Sequence, residues 1–146
     1  MGVFPYMAPE LFNGGAYSQE ADVYAFGMIM WEVTSREKPF LEIEHDKNLA
    51  LRIFNGLRPT ITDDTPQYYR DLMQKCWHSD PAQRPTANKI KWLTLSWCRY
   101  PTGVIWDEIA KAEVIRKRNL STKNEKKTHP GAIYTSRLMP NISKGK

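Results

Sequence analysis

Cysteine is scarce in this chain: only Cys76 and Cys98 occur in 146 residues. Neither sits in a C-x-x-C pair or beside a histidine at metal spacing, which excludes a disulfide scaffold and a zinc module. Both are read as reduced, buried thiols of a cytoplasmic protein, and no metal site is expected. No window approaches the roughly 18 apolar residues that a membrane span needs, so no transmembrane segment is expected. The opening Met1-Gly-Val-Phe-Pro5 has no basic stretch followed by an apolar one, so no secretory leader is expected either. The sequons at Asn119 and Asn141 then count as chance matches. Glycine occurs eight times, never as G-x-G-x-x-G, so the backbone offers no phosphate cradle of that type. Strictly alternating apolar and polar runs are missing as well, which points away from sheet and toward a mainly α body.

What is present suffices for one packed domain, since 41% of the residues are apolar and five are tryptophan. Charge is distributed unevenly. Residues 1–115 hold 12 Lys and Arg against 15 Asp and Glu, and residues 116–146 hold 9 against 1, giving −3 and +8. That asymmetry describes a near-neutral body followed by a basic tail. Rich in polar residues and punctuated by proline and glycine, residues 119–146 are expected to be a basic disordered tail, solvated rather than specific for nucleic acid.

The stretch Asp22-Val-Tyr-Ala-Phe-Gly-Met-Ile-Met-Trp-Glu-Val-Thr34 carries apolar residues on every face, the mark of a helix in the middle of a domain. Val23, Phe26, Met28, Ile29, Met30, Trp31 and Val33 are expected to be buried in it. Asp22 is read as its N-cap. Gly27 costs about 1 kcal/mol in a helix relative to alanine, so it signals close approach by another segment. Pro39 stops the helix from continuing. Ahead of it, two prolines keep residues 2–9 in an ordered loop, a short helix runs through Leu11 and Phe12, and Ser18 can cap a brief turn.

Three further helices have one-sided patterns. Leu49, Ala50, Ile53 and Phe54 share a face, with Asn55-Gly56 as the stop. Tyr69, Leu72, Met73 and Cys76 fall at i, i+3, i+4 and i+7. Thr86 caps a helix whose inner face is Ile90, Leu93 and Trp97. Between the last two lies a turn-rich loop, residues 76–86, with one arginine that has little reason to be exposed. Residues 99–118 read as a helical extension, with Asp107 and Glu108 early and Arg116-Lys-Arg118 late, as the helix dipole prefers.

Three motifs stand in order: Met7-Ala-Pro-Glu10, Asp22-Val-Tyr-Ala-Phe-Gly27 and Cys76-Trp-His-Ser-Asp-Pro-Ala-Gln-Arg-Pro-Thr86. Together they resemble the C-terminal half of the protein kinase catalytic domain, whose activation segment ends in A-P-E. The likeness covers residues 1–98 and leans to the tyrosine-kinase-like serine/threonine group, with tyrosine kinases next. It implies the C-terminal helical lobe, organised around a buried central helix, with the N-terminal β lobe absent. It also implies roles. Glu10 resembles the buried glutamate that pairs with the arginine matching Arg84, and Asp22 resembles the aspartate that hydrogen-bonds the catalytic loop. Gly2, Val3, Phe4, Pro5 and Tyr6 fall where kinases bind the substrate residue after the phosphorylated hydroxyl. The helix from Leu49 to Phe54 corresponds to one used to dock protein substrates and regulators.

Two departures bear on activity. Val3 replaces a threonine that many serine/threonine kinases use at the catalytic machinery, whereas Pro5-Tyr6 ahead of Met7 is the serine/threonine form. More importantly, phosphoryl transfer needs a glycine-rich loop, a strand lysine, a catalytic-loop Asp and Asn, and a magnesium-binding Asp. The sequence holds no H-R-D and no D-F-G. ATP and Mg are therefore implied for the family, with neither expected to bind this chain and no catalytic residue assigned. The chain reads either as a fragment of a kinase or as a noncatalytic kinase-like interaction module.

Overall fold

The computed structural model describes residues 1–122, 124–138 and 140–143. The expectation of a disordered tail therefore falls partly outside the described residues, at Lys123, Met139 and residues 144–146. Six α-helices follow in order: α1 (Pro9–Phe12), α2 (Gln19–Ser35), α3 (Lys47–Phe54), α4 (Gln67–Cys76), α5 (Ala87–Arg99) and α6 (Gly103–Leu120). Two 3-10 turns, Phe4–Tyr6 and Pro81–Gln83, flank the first and last parts of the lobe. Among the described residues the only β pairing is a single antiparallel bridge between Gly2 and Arg137. The molecule is a helical lobe without a β lobe, and α2 packs against α4 as its main internal contact.

The start of α2 differs from the sequence expectation. Ser18, not Asp22, is the N-cap: its Oγ accepts from the Ala21 N–H at 3.2 Å. The apolar run begins one turn inside the helix, so reading the cap from that run places it four residues late, and Asp22 falls in the first turn. There it still favours the positive end of the helix dipole. At the other end Arg36 takes a left-handed conformation, φ 58°, and its N–H closes on the Glu32 carbonyl at 2.9 Å. The helix thus ends at Ser35, four residues before Pro39.

The burial of α2 is also incomplete. Val23, Met28, Met30 and Trp31 are buried, but Phe26, Ile29 and Val33 are exposed, with Ile29 at 50% and Val33 at 65%. These three lie at i, i+3 and i+7 on one face. Composition alone cannot separate a helix buried all round from one with a bare apolar stripe.

Gly27 marks the closest helix contact. A Cβ there would lie 2.9 Å from the Cys76 Cβ and 3.2 Å from the Trp77 nitrogen, so only hydrogen fits between α2 and the end of α4. The other helices follow their patterns. Leu49, Ala50 and Ile53 are buried on α3 while Phe54 is exposed at its end. Asp46 caps α3 through the Leu49 N–H at 2.9 Å. On α4, Leu72, Met73 and Cys76 are buried. Thr86 caps α5, where Ile90, Leu93 and Trp97 are only partly buried against the core. The first turn of α4 has no cap of its own; Glu108 from α6 reaches across to accept from the Tyr68 N–H at 2.9 Å.

Cys76 is buried, but Cys98 is exposed, against the expectation for both. Its position late on α5 faces away from the core. Burial pushes the Cys76 thiol up to about 12. A maleimide titration of the folded chain at neutral pH should therefore label one thiol rapidly, at Cys98, and the second only after denaturant is added. In parallel, Gly27→Ala should lower stability by about 1–3 kcal/mol in a urea melt despite the gain in helix propensity, because the added methyl overpacks the α2–α4 contact.

Candidate substrate-side site

Residues 76–86 turn the chain sharply after α4, and each step has a local cause. Trp77 closes the helix, and Asp80 accepts from the Ala82 N–H at 3.0 Å to start the Pro81–Gln83 turn. That geometry sends Arg84 inward, where its side chain is fully buried. Its two terminal nitrogens donate to the two Glu10 oxygens, each at 2.8 Å, across 74 positions of sequence. Two more of its donors are used: Nε donates to the His78 carbonyl and Nη1 to the Glu20 carbonyl, both at 2.9 Å. The guanidinium also lies 5.2 Å from the Tyr24 ring centre. A planar fork suits this bidentate arrangement, which an ammonium cannot reproduce. Glu10 itself retains 24% side-chain exposure, so the pair is half-open on the carboxylate side.

A second arginine, not singled out in the sequence, completes the same hub. Arg58 donates to the Trp77 carbonyl at 2.9 Å and to the Ile53 carbonyl at 3.0 Å, closing the C-terminal ends of both α4 and α3. Its guanidinium lies over the Tyr24 ring, 5.0 Å from the ring centre. Burial pushes the Tyr24 hydroxyl up to about 12, and the two nearby guanidiniums oppose that shift. Arg-Pro spacing at Arg58-Pro59 and at Arg84-Pro85 was the one available sequence signal.

The opening segment runs across this hub. Phe4 and Pro5 are buried, Phe4 against Phe12 with ring centres 5.0 Å apart. They act from beneath, fixing the backbone. Val3 and Tyr6 face outward and, with Tyr17, Asp22 and Ala25, line a shallow pocket of about 130 Å³. The Tyr6 hydroxyl donates to the Glu32 carboxylate. Burial, then that carboxylate, push the Tyr6 hydroxyl well above its ordinary range. Gly2 is the open end of the segment, bonded only to Arg137. Asp22 is exposed on the pocket rim, 12 positions from Glu10 in sequence but not bonded to it. The structure thus brings Glu10 and Arg84 into contact, places Val3, Tyr6 and Asp22 around one pocket, and leaves Phe4 and Pro5 inside. On α3, Leu51 and Phe54 present an exposed apolar pair.

Among the described residues no group of three or more His, Cys, Asp or Glu is placed to hold a metal ion. The sequence supplies no glycine-rich phosphate loop.

Residues 2–93 match the family model for protein tyrosine and serine/threonine kinases. The chain is 39% identical over 103 residues to mitogen-activated protein kinase kinase kinase 7 of Homo sapiens, covering 70% of this chain and 17% of that protein. The Mus musculus protein of the same name matches at the same identity. A probable LIM domain-containing serine/threonine-protein kinase of Dictyostelium discoideum is 39% identical over 90 residues, covering 62% of this chain and 14% of its own length. The chain therefore spans less than a fifth of the curated relatives it matches.

Removing one side of the Glu10–Arg84 pair should be costly in either direction. Glu10→Ala leaves a fully buried guanidinium uncompensated and should cost about 3–5 kcal/mol in urea melts. Arg84→Ala leaves a carboxylate that water can reach, so its cost comes chiefly from the lost bonds to His78 and Glu20. The double mutant should show a coupling of about 1–3 kcal/mol, and additive single effects would mean that the two side chains do not meet in solution.

Proposed function

Because the chain belongs to the protein tyrosine and serine/threonine kinase family, we propose that it is the substrate-side lobe of a kinase that transfers the ATP γ-phosphate to serine or threonine of a protein. The observation that carries this reading is the bidentate Arg84–Glu10 pair, which fixes the Met7-Ala-Pro-Glu10 segment to the helical lobe. Serine/threonine over tyrosine is supported by Pro5-Tyr6 ahead of Met7 and by the likeness to a probable LIM domain-containing serine/threonine-protein kinase.

In this reading Val3 and Tyr6 face the acceptor peptide at the pocket they line. Phe4 and Pro5 hold that surface from inside, and Gly2, whose backbone pairs with Arg137 here, marks the end of the segment where an extended peptide would pair. Asp22, exposed on the pocket rim, is the group that would accept backbone hydrogen bonds from a catalytic loop. Glu10 and Arg84 are structural. In the whole enzyme ATP and Mg supply the phosphoryl group and its charge compensation. This chain's own contribution is to position the acceptor segment, so alone it transfers nothing. Its working place is the cytoplasm, in signalling. No helix of the described residues is long and apolar enough to cross a membrane. A second reading, a noncatalytic interaction module, is favoured by the exposed Leu51 and Phe54 pair on α3.

A chimera separates the two readings. Residues 1–98 are placed in a related active serine/threonine kinase in exchange for its matching segment, and phosphoamino acids are analysed. Transfer to serine and threonine acceptors is expected. A soluble, folded chimera that binds Mg-ATP yet transfers to no acceptor would favour the module. The isolated chain titrated calorimetrically with Mg-ATP should show no binding, since it has no phosphate cradle.

A further inference from the structure

Within the polar segment after α6, expected to be disordered, Lys126, His129, Gly131, Ile133, Tyr134 and Arg137 bond to the lobe. Gly2 and Arg137 exchange both backbone hydrogen bonds, at 3.2 and 3.1 Å. His45 is buried and is the anchor. Its Nδ1 accepts from the Ile133 N–H at 3.0 Å, its Nε2 then donates to the Phe40 carbonyl at 3.1 Å, and its own N–H donates to the Gly131 carbonyl at 3.0 Å. The Tyr134 hydroxyl donates to the Pro39 carbonyl at 2.9 Å, and its ring meets the His45 ring edge-on with centres 4.9 Å apart. Lys38 lies over the same ring at 4.8 Å. Arg137 donates to the His45 carbonyl and covers the Phe4 ring at 5.6 Å.

The receiving surface is built for this. Phe40 is a buried aromatic held at φ 58°, a conformation that non-glycine residues rarely adopt. That strained turn presents the Pro39 and Phe40 carbonyls side by side toward Tyr134 and His45. On the tail side Gly131 sits close against Glu44: a Cβ there would lie 2.6 Å from the Glu44 Cγ, so a side chain at 131 has to displace Glu44. Upstream, Lys126 pairs with Glu37 and Glu42 at 3.0 and 3.4 Å, which matches a basic tail to an acidic loop.

We propose that Gly2, the Pro39–Leu41 turn and His45 form a docking surface for an extended peptide carrying tyrosine and, three residues on, arginine. Residues Gly131–Arg137 are its built-in occupant. Most of the docking bonds run through backbone groups. Two side chains, Tyr134 and Arg137, set the register. While the tail is seated, the backbone edge of Gly2 is closed to any second extended peptide. The docking stands on these contacts alone and goes beyond the kinase reading of Gly2–Tyr6, without needing it.

Hydrogen exchange on the full chain tests it, with Tyr134→Ala/Arg137→Ala and, separately, Gly131→Val as tail-release variants. Residues 129–138 should exchange slowly in the native chain and at least about tenfold faster in both variants, with α2 unchanged. A labelled synthetic peptide of residues 129–138 should bind the double variant at least about tenfold tighter than the native chain, whose surface is already filled. Native exchange of residues 129–138 at the rate of an unstructured chain would overturn the proposal. So would equal peptide affinity for native and variant chains, or protection that grows with protein concentration as tails exchange between copies.

Discussion

A buried guanidinium governs this lobe. Arg84 is taken wholly out of water, and every donor it carries must find an acceptor or the fold pays several kcal/mol. Four of its five N–H groups do so, on three separate stretches: Glu10 in the opening segment, Glu20 at the start of α2 and His78 after α4. Satisfying one side chain therefore fixes where the opening segment crosses the helices. Arg58 repeats the device a short distance away, closing α3 and α4 with the same kind of fork. Tyr24, between the two cations, gives both an aromatic face in place of water. The pocket at Val3 and Tyr6 lies on the same segment: Glu10 is held by Arg84 and Phe4 is buried, while Val3 and Tyr6 stay half-buried at the pocket they line.

The order and type of the helices were legible because their signals are local. Period-3.6 spacing at Leu72, Met73 and Cys76, the cap at Thr86 and the close approach at Gly27 need no knowledge of the rest of the chain. The exposed stripe Phe26, Ile29 and Val33 was not legible. An apolar residue carries the same hydropathy whether or not a neighbour covers it. Such a stripe suits a lobe that covers part of the kinase domain, and the matched segment is less than a fifth of each family relative's length. Ser18 was set aside as a cap for a separate turn because the first apolar residues of α2 come later than its first turn.

In the site, Glu10 and Arg84 could be named from motifs, whereas Arg58 and His45 could not. Arg58 acts on carbonyls of helix ends, and carbonyl acceptors leave no trace in residue identity. His45 binds backbone on both ring nitrogens, so its partners are equally silent in sequence. The tail follows the same logic. Counting its few large apolar residues undervalues docking that runs through N–H and C=O groups, and the net charge of residues 116–146 says nothing about where Lys126 meets Glu37 and Glu42. Cys98 was misplaced because cysteine is most often buried, a tendency that α5 overrides by presenting that position outward.

If Arg84 joins the opening segment to the helices as one cooperative unit, then native-state hydrogen exchange resolved by residue measures that union directly. Amides protected in α1, among them Asn13 bonded to Glu10, should open with the same free energy as those of α2 and α4 and show the same denaturant dependence. Exchange from α1 at near-unfolded rates, while α2 and α4 stay protected, would contradict the claim that the Arg84 hub holds the lobe together.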